Sequence, residues 1–127
     1  MRKIIFLVLL ILGAYYGFKH ITKSGRLDAL LDAHSEWEWK PAFEYYLGKF
    51  YVICGRWARA IHRLERVVEK YPEHKLAPVA QYSLAGAYEY YESGNKRRAI
   101  EEYKKVIDLY PDSEYAEKAG KRMSYLR

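Results

Sequence analysis

Two similar stretches decide the fold: GRWARAIHRLERVVEKYP at residues 55–72 and GNKRRAIEEYKKVIDLYP at residues 94–111. Each begins with glycine, has Ala-Ile five positions later and ends in Tyr-Pro. Between these marks apolar residues recur every three or four positions, which predicts an amphipathic helix in each stretch. Proline cannot continue a helix, so both helices should end at the Tyr-Pro pair. A unit that recurs along one chain predicts a stack of similar helical units.

The Tyr-Pro pairs set the frame of this unit. Counting back from them starts the first unit at Pro41 and the second unit at Ala80. The marker residues are Leu47, Gly48, Tyr51, Ala60, Leu64, Val67 and Pro72 in the first unit, and Ala87, Tyr90, Gly94, Ala99, Tyr103, Val106 and Pro111 in the second. This order resembles the tetratricopeptide repeat, a helix-turn-helix unit of about 34 residues. The early tryptophan of that repeat is absent from both units, and Gly86 stands where the second unit should carry a large apolar residue.

The resemblance implies an all-α fold, a short helical solenoid of two repeats with flanking capping helices. The apolar run at the front of the chain is expected to form a transmembrane helix before it. We expect a membrane segment with its basic flank at residues 1–25 and a helical domain at residues 26–127. The domain is expected to divide into a capping helix, repeat 1, repeat 2 and a C-terminal helix at residues 26–40, 41–73, 74–111 and 112–127. Gly55 and Gly94 should end the first helices of the repeats, and Asn95 should cap the helix that follows it.

The spacing of the units is longer than usual. The Tyr-Pro pairs lie 39 positions apart, and we place the extra residues in EHKLAPVA after Pro72. The wording YP-x-S-x-x-A-x-x-A is similar to the long repeats of bacterial envelope-assembly proteins, namely the outer-membrane-assembly lipoprotein and the periplasmic Tol-Pal accessory protein. Upstream of the repeats, the capping helix carries one apolar stripe, formed by Leu27, Leu30, Leu31, His34 and Trp37.

The front of the chain carries a run of fifteen uncharged residues, Ile4 to Phe18. As a helix this run is about 22 Å long, short of the roughly 30 Å hydrocarbon core. The residues expected to contact lipid are Ile4, Phe6, Leu9, Leu12, Tyr15 and Tyr16. Signal cleavage requires small residues, whereas Leu12 and Tyr15 occupy the −3 positions of the two possible sites. An uncleaved signal-anchor is therefore favoured, and a cleaved signal or a buried helix are the alternatives.

The net charge of +6 lies mostly at the front. Residues 1–27 hold five basic side chains and no acidic one, whereas residues 28–127 hold 17 basic and 16 acidic side chains. The helical domain is nearly neutral, so we expect no nucleic-acid partner. The basic residues on the two sides of the apolar run are almost balanced, and the short N-terminal stub favours export of the domain.

No motif of an enzyme is present in the sequence. It has no glycine-rich phosphate loop and no His-Glu-x-x-His, and Cys54 is the single cysteine. We expect no catalytic residue, no cofactor, no metal site and no small-molecule substrate.

The resemblance also implies a partner-binding groove along the first helices of the repeats. The positions that face such a groove are Ala42, Tyr45, Lys49 and Val52 in the first unit, and Gln81, Leu84, Tyr88 and Tyr91 in the second. Carboxylate-clamp members of the family carry Lys and Asn at these positions, so a C-terminal acid is not the expected ligand. Tyrosine offers rigid amphipathic contact area, which suits a protein partner. The alternative is that these tyrosines pack between the helices.

A second candidate surface is basic. Its residues are Arg56, Arg59, Arg63 and Arg66, followed by Lys70. The spacing puts Arg59, Arg63 and Arg66 on one side of a helix. Glu65 and Glu69 alternate with them, which favours a solvated face; anionic lipid or an acidic partner is the alternative.

These observations predict a membrane-anchored scaffold for other proteins, or an accessory subunit of a membrane or envelope complex. The expected location is the bacterial inner membrane, with residues 4–18 in the bilayer and the soluble domain in the periplasm. The alternative is a soluble periplasmic carrier or chaperone-like protein released by signal cleavage. Two repeats are fewer than the three that such arrays usually need, which favours docking to a protein partner.

Overall fold

The structure is a computed structural model that describes residues 1–23, 25–34, 37–91 and 95–127, with the backbone alone at Thr22. The described residues form seven helices and no strand. These helices are α1 Arg2–Lys23, α2 Arg26–Ala33, α3 Lys40–Ile53, α4 Trp57–Lys70, α5 Ala77–Tyr90, α6 Lys96–Leu109 and α7 Glu114–Leu126. The predicted all-α class is confirmed. The chain divides into two units, Met1–Glu38 and Trp39–Arg127, which are described separately.

The unit Trp39–Arg127 is a row of five helices. Each of its helices packs against the next one along the chain, and the first helices α3, α5 and α7 also contact each other in sequence. α3 and α4 form one helical hairpin, α5 and α6 form the next, and α7 begins a third. Pro41 and Pro78 each lie in the first turn of their helix, where the missing N–H costs no hydrogen bond.

Two apolar clusters form the core of this row. The first cluster, between α3, α4 and α5, contains Tyr45, Ile61, Leu64, Val67, Ala80, Leu84 and Ala87. The second, between α5, α6 and α7, contains Ala85, Ala99, Tyr103, Val106, Ala119 and Met123. Gly48 is needed for close packing, because a Cβ there would lie 2.9 Å from Leu64 Cγ. The small marker residues Ala60 and Ala99 are fully buried, which lets the helices of each hairpin approach closely.

The predicted ends of the repeat helices are confirmed where the structure describes them. Gly55 has a φ of 67°, which an L side chain rarely adopts, and it lies directly after α3. Asn95 caps α6, because its Oδ1 accepts a hydrogen bond from the Arg98 N–H at 3.1 Å. α4 and α6 end just before Tyr71 and Tyr110, so Pro72 and Pro111 follow the helices as expected. The predicted stop at Gly94 lies outside the described residues.

The predicted helix at residues 26–40 is shorter in the structure, because α2 ends at Ala33. His34 leaves the helical conformation with φ −121° and ψ 56°, close to the values of Tyr71 and Tyr110 at the ends of α4 and α6. The Trp37 N–H then donates to the His34 carbonyl at 3.3 Å, and the two rings stack. Trp37 is therefore not on a helical stripe. The single predicted helix is interrupted because the His34 backbone leaves the helical region, and Pro41 lies in the first turn of a separate helix, α3.

The register of the second repeat also differs from the prediction. The sequences KPAFEYYLGKFY at residues 40–51 and APVAQYSLAGAY at residues 77–88 occupy the same places in α3 and α5, 37 positions apart. The second helices α4 and α6 are 39 positions apart. The connection between α5 and α6 is two residues longer than that between α3 and α4. Placing all the extra length after Pro72 was therefore wrong, since part of it lies between α5 and α6.

Candidate functional site: a tyrosine-lined groove

A groove with a volume of about 360 Å³ runs along α3 and α5, the first helices of the two repeats. Its walls come from α3 and α5, and single residues of α4 and α7 complete it. The lining residues are Tyr45, Lys49, Val52, Trp57, Val79, Tyr82, Ser83, Gly86, Ala87, Tyr90 and Tyr115. We call this surface the tyrosine-lined groove.

The structure places the predicted groove residues of the first repeat along this groove and those of the second repeat elsewhere. Tyr45, Lys49 and Val52 of the first repeat line the groove. In the second repeat, Tyr82 and Gly86, which lie 37 positions after Tyr45 and Lys49, line the groove together with Val79. The signal that identifies them is the alignment of Pro41 with Pro78, because this pairing fixes the start of both first helices.

The four residues predicted for the second half of the groove lie elsewhere. Gln81 is buried and its Nε2 donates to Glu102 Oε2 at 2.6 Å, while Leu84 belongs to the first core cluster. The Tyr88 hydroxyl donates to Glu65 Oε1 at 2.7 Å, and burial followed by this bond raises the pKa of Tyr88 to about 12. Tyr91 packs against the first core cluster. The reason is that α5 lies between α4 and α6, which cover this side of it.

The aromatic walls of the groove are held by ring contacts. Trp57 and Tyr90 stack with their centroids 5.1 Å apart, and Tyr82 contacts Tyr115 at 5.6 Å. Burial raises the pKa of Tyr45, an effect that a hydrogen bond with Ser83 across the groove reduces. Rings fixed in this way lose little side-chain entropy when a ligand binds. The groove is therefore a preorganised amphipathic surface.

Lys49 is the one charged side chain among the described residues that line the groove. It is half-buried, and no carboxylate within the described part of the chain pairs with it. An ammonium group beside aromatic rings and hydroxyl groups favours a ligand that brings a carboxylate together with apolar or aromatic side chains.

The predicted basic face is wrong for two of its four arginines. Arg63 and Arg66 are only 4% and 9% exposed. Both bind the buried Glu44 of α3, Arg63 Nη1 at 3.1 Å and Arg66 Nε at 2.7 Å. A carboxylate buried against α4 requires such partners, which removes both guanidinium groups from the surface. Arg56 remains exposed and Arg59 lies over the Tyr51 ring.

The second repeat has a related cluster with the acid on the other helix. Buried Glu102 of α6 receives Gln81 from α5, and its Oε1 lies 2.9 Å from Arg98 Nη2 and 2.8 Å from Lys105 Nζ. Glu102 occupies the place of Arg63, and Gln81 occupies the place of Glu44. Each hairpin is therefore joined by one buried polar cluster at the same position.

The predicted lipid-contacting residues all lie on α1, which is longer than the uncharged run. A span from Arg2 to Ile21 has a mean hydropathy of 1.9, and none of it is buried. The whole helix of 22 residues is about 33 Å long at a rise of ~1.5 Å per residue, enough to cross a bilayer. A signal sequence near an N-terminus has the same length and composition.

Within the described residues, no group of three or more His, Cys, Asp or Glu side chains is arranged to hold a metal ion.

The family model of the tetratricopeptide repeat matches residues 42–74 and 80–113, more than half of the chain. This chain belongs to the tetratricopeptide repeat family. The matched segments cover most of the two hairpins that build the tyrosine-lined groove. Arrays of such repeats present extended concave surfaces, and the repeats here indicate a scaffold for protein–protein interaction. A comparison with curated proteins finds no match to the chain.

Proposed function

We propose that this tetratricopeptide repeat protein is a non-enzymatic, membrane-anchored adaptor. In this proposal α1 crosses the bacterial inner membrane once, and the repeat domain lies on the periplasmic face. There it holds a segment of another protein in the tyrosine-lined groove, as a scaffold or accessory subunit of an envelope complex. The observation that carries the proposal is a preorganised aromatic groove whose single charged residue, Lys49, pairs with no carboxylate of the described residues, on a domain that follows an apolar helix.

The shortness of the array supports a stable partner. Two repeats and one additional helix bury less surface on each other than a long solenoid does. Docking to a larger assembly would stabilise the domain by mass action. We place the protein in the envelope on the wording of its repeats alone, YP-x-S-x-x-A-x-x-A, which resembles that of bacterial envelope-assembly proteins.

The groove favours one ligand chemistry. Tyr82 and Tyr90 supply ring faces and hydroxyl groups, and Lys49 supplies the cation. The ligand that matches is an exposed protein segment that combines apolar or aromatic side chains with an aspartate or glutamate.

The test is photo-crosslinking from inside the groove in intact cells. A photoreactive phenylalanine analogue replaces Ser83, which lines the groove, or Lys104, which is exposed on α6 and serves as the control. We expect a discrete crosslinked protein from position 83 and none from position 104. Adding Lys49→Glu should abolish the crosslink, whereas Lys104→Glu should leave it unchanged.

Two results would contradict the proposal. Equal crosslinking from both positions would show that the groove is not the binding surface. A soluble chain that begins after Ala14 or Gly17 would show that α1 is a cleaved signal, and would favour the periplasmic carrier.

A further inference from the structure

α3 carries an apolar stripe on its outer side, away from the core. Tyr46, Phe50 and Ile53 are 64%, 52% and 81% exposed, and the stripe continues towards the start of the helix with Trp39 and half-buried Phe43. The steps between these residues alternate between four and three positions, which places them in one row on a helix. We call this row the α3 aromatic stripe.

The same row on α5 has small side chains at most of its positions. Ala80, Ser83 and Ala87 stand where α3 has Phe43, Tyr46 and Phe50. Ala80 and Ala87 are buried in the first core cluster, where they meet Leu64 and Val67 of α4. On α5 this row is therefore the surface against which the preceding hairpin packs. The large exposed rings of α3 are not needed for that kind of close packing.

The surroundings of the stripe are basic. Between residues 39 and 64 the only acidic residue is Glu44, which is buried and bound by two arginines. The cationic side chains that remain at least partly exposed on this stretch include Lys49, Arg56 and Arg59. The nearest exposed carboxylate in the sequence is Glu38, which precedes Trp39 at the start of the stripe. Exposed rings flanked by cations are typical of a surface that contacts anionic lipid.

Chain connectivity keeps α3 near the membrane if α1 is anchored there. About 16 residues separate Lys23, the end of α1, from Lys40, the start of α3. Eight of them are helical in α2. At ~1.5 Å per helical residue and ~3.5 Å per extended residue, this connection reaches at most about 40 Å. Such a tether gives α3 a high effective concentration at the bilayer surface.

We propose that the α3 aromatic stripe is a second membrane contact, on which α3 lies along the surface of an anionic bilayer. Tyr46, Phe50 and Ile53 insert at the level of the headgroups, while the exposed Arg56 contacts lipid phosphate. The inference rests on the anchoring that the proposed function includes.

The test measures the depth of spin labels in the full chain. In a Cys54→Ser background, Phe50→Cys and Ile53→Cys place a nitroxide on the stripe. Leu109→Cys is the matched control, since Leu109 is an exposed apolar residue on α6 beside Asp108. Leu9→Cys reports whether α1 is in the bilayer. The protein is reconstituted in vesicles of phosphatidylcholine with phosphatidylglycerol, and the access of oxygen and of a water-soluble nickel chelate to each label is compared.

We expect the ratio of oxygen access to nickel-chelate access to be several-fold higher for the labels at 50 and 53 than for the label at 109. This difference should shrink in pure phosphatidylcholine, in high salt and in a Tyr46→Glu variant. Equal nickel access at 50, 53 and 109 would overturn the inference, and so would spin–spin broadening from a second copy. If the Leu9 label is also exposed to nickel, the anchor itself fails; if Leu9 is protected and only the stripe is not, the inference alone fails.

Discussion

In the first repeat a buried carboxylate on the first helix meets two guanidinium groups from the second helix, whereas in the second repeat the buried carboxylate is on the second helix. Glu44 binds Arg63 and Arg66, while Glu102 binds Gln81, Arg98 and Lys105. The backbone of the two hairpins is the same kind of structure. Both hairpins therefore have a buried polar cluster at the same place, but the acid comes from the first helix in one repeat and from the second helix in the other.

The largest effect is expected from removing Glu44, the more buried of the two acids. Glu44→Ala takes away the carboxylate that Arg63 and Arg66 share, and breaking a buried ion pair from one side costs about 3–5 kcal/mol. We expect a loss of this size in urea unfolding of the full chain in mild detergent. The control is Glu101→Ala, whose exposed pairs with Arg97 and Arg98 contribute about 0–1 kcal/mol. Equal losses in both variants would show that the buried cluster does not stabilise the first repeat.

The glycines of α3 and α5 differ in the room around them. A Cβ at Gly48 would lie 2.9 Å from Leu64 Cγ, whereas the nearest atom to a Cβ at Gly86 is Tyr103 Oη at 3.6 Å. Gly48→Ala should therefore destabilise the domain by about 1–3 kcal/mol. Gly86→Ala should stabilise it by about 0.5–1 kcal/mol, because alanine favours the helix. Thermal unfolding of both variants checks this, and a stabilising Gly48→Ala would contradict the close contact of α3 with α4.

The second helices differ in their caps. Asn95 accepts a hydrogen bond from the Arg98 N–H, whereas Arg56 at the start of α4 forms no side-chain cap. Asn95→Ala should cost about 1 kcal/mol, and Arg56→Asn should add up to about 1 kcal/mol. Both changes are read from the midpoint of urea unfolding. A gain absent from Arg56→Asn would mean that the start of α4 is constrained by something other than its cap.

The smallest expected effect concerns pH and belongs to the second repeat. Burial raises the pKa of Glu89, but hydrogen bonds from Arg122 and Tyr103 outweigh it, so this pKa lies below its usual value. A lowered pKa in the folded state contributes stability above the pKa of the unfolded chain, about 4.3, and this stability is lost as pH falls through the folded value. Stability between pH 6 and pH 3 should therefore fall less in Glu89→Gln than in the unchanged chain. Parallel pH curves would contradict the role of the Glu89–Arg122 pair.

The sequence predicts the second helices well and the first helices less well. Ala60, Leu64, Val67, Ala99 and Val106 are all fully buried, as the period of each helix and its Tyr-Pro end require. The register of α5 was missed because nothing in helical periodicity gives the length of the connection between α5 and α6. Pro78, which begins α5, was the available signal.

The site was predicted in part for a related reason. The predicted start of the first repeat matches the start of α3, so Tyr45 and Lys49 line the groove as predicted for groove-facing positions. In the second repeat the predicted start was displaced, and Gln81 and Tyr88 face neighbouring helices. Arg63 and Arg66 resembled a surface pattern in their own helix. Only their long-range contact with Glu44 of α3 shows that they are buried, and spacing within one helix cannot reveal such a contact.

If the proposed adaptor is anchored in the membrane and holds a protein partner, it should be part of a stable native particle. The native protein is extracted from membranes in mild detergent, and the mass of the intact particle is determined together with the mass of its released chain. The account predicts the full-length chain of 15.1 kDa inside a larger particle of fixed stoichiometry, and a Lys49→Glu variant that leaves this particle. A full-length chain that runs alone in both forms, or a shortened chain in the soluble fraction, would contradict it.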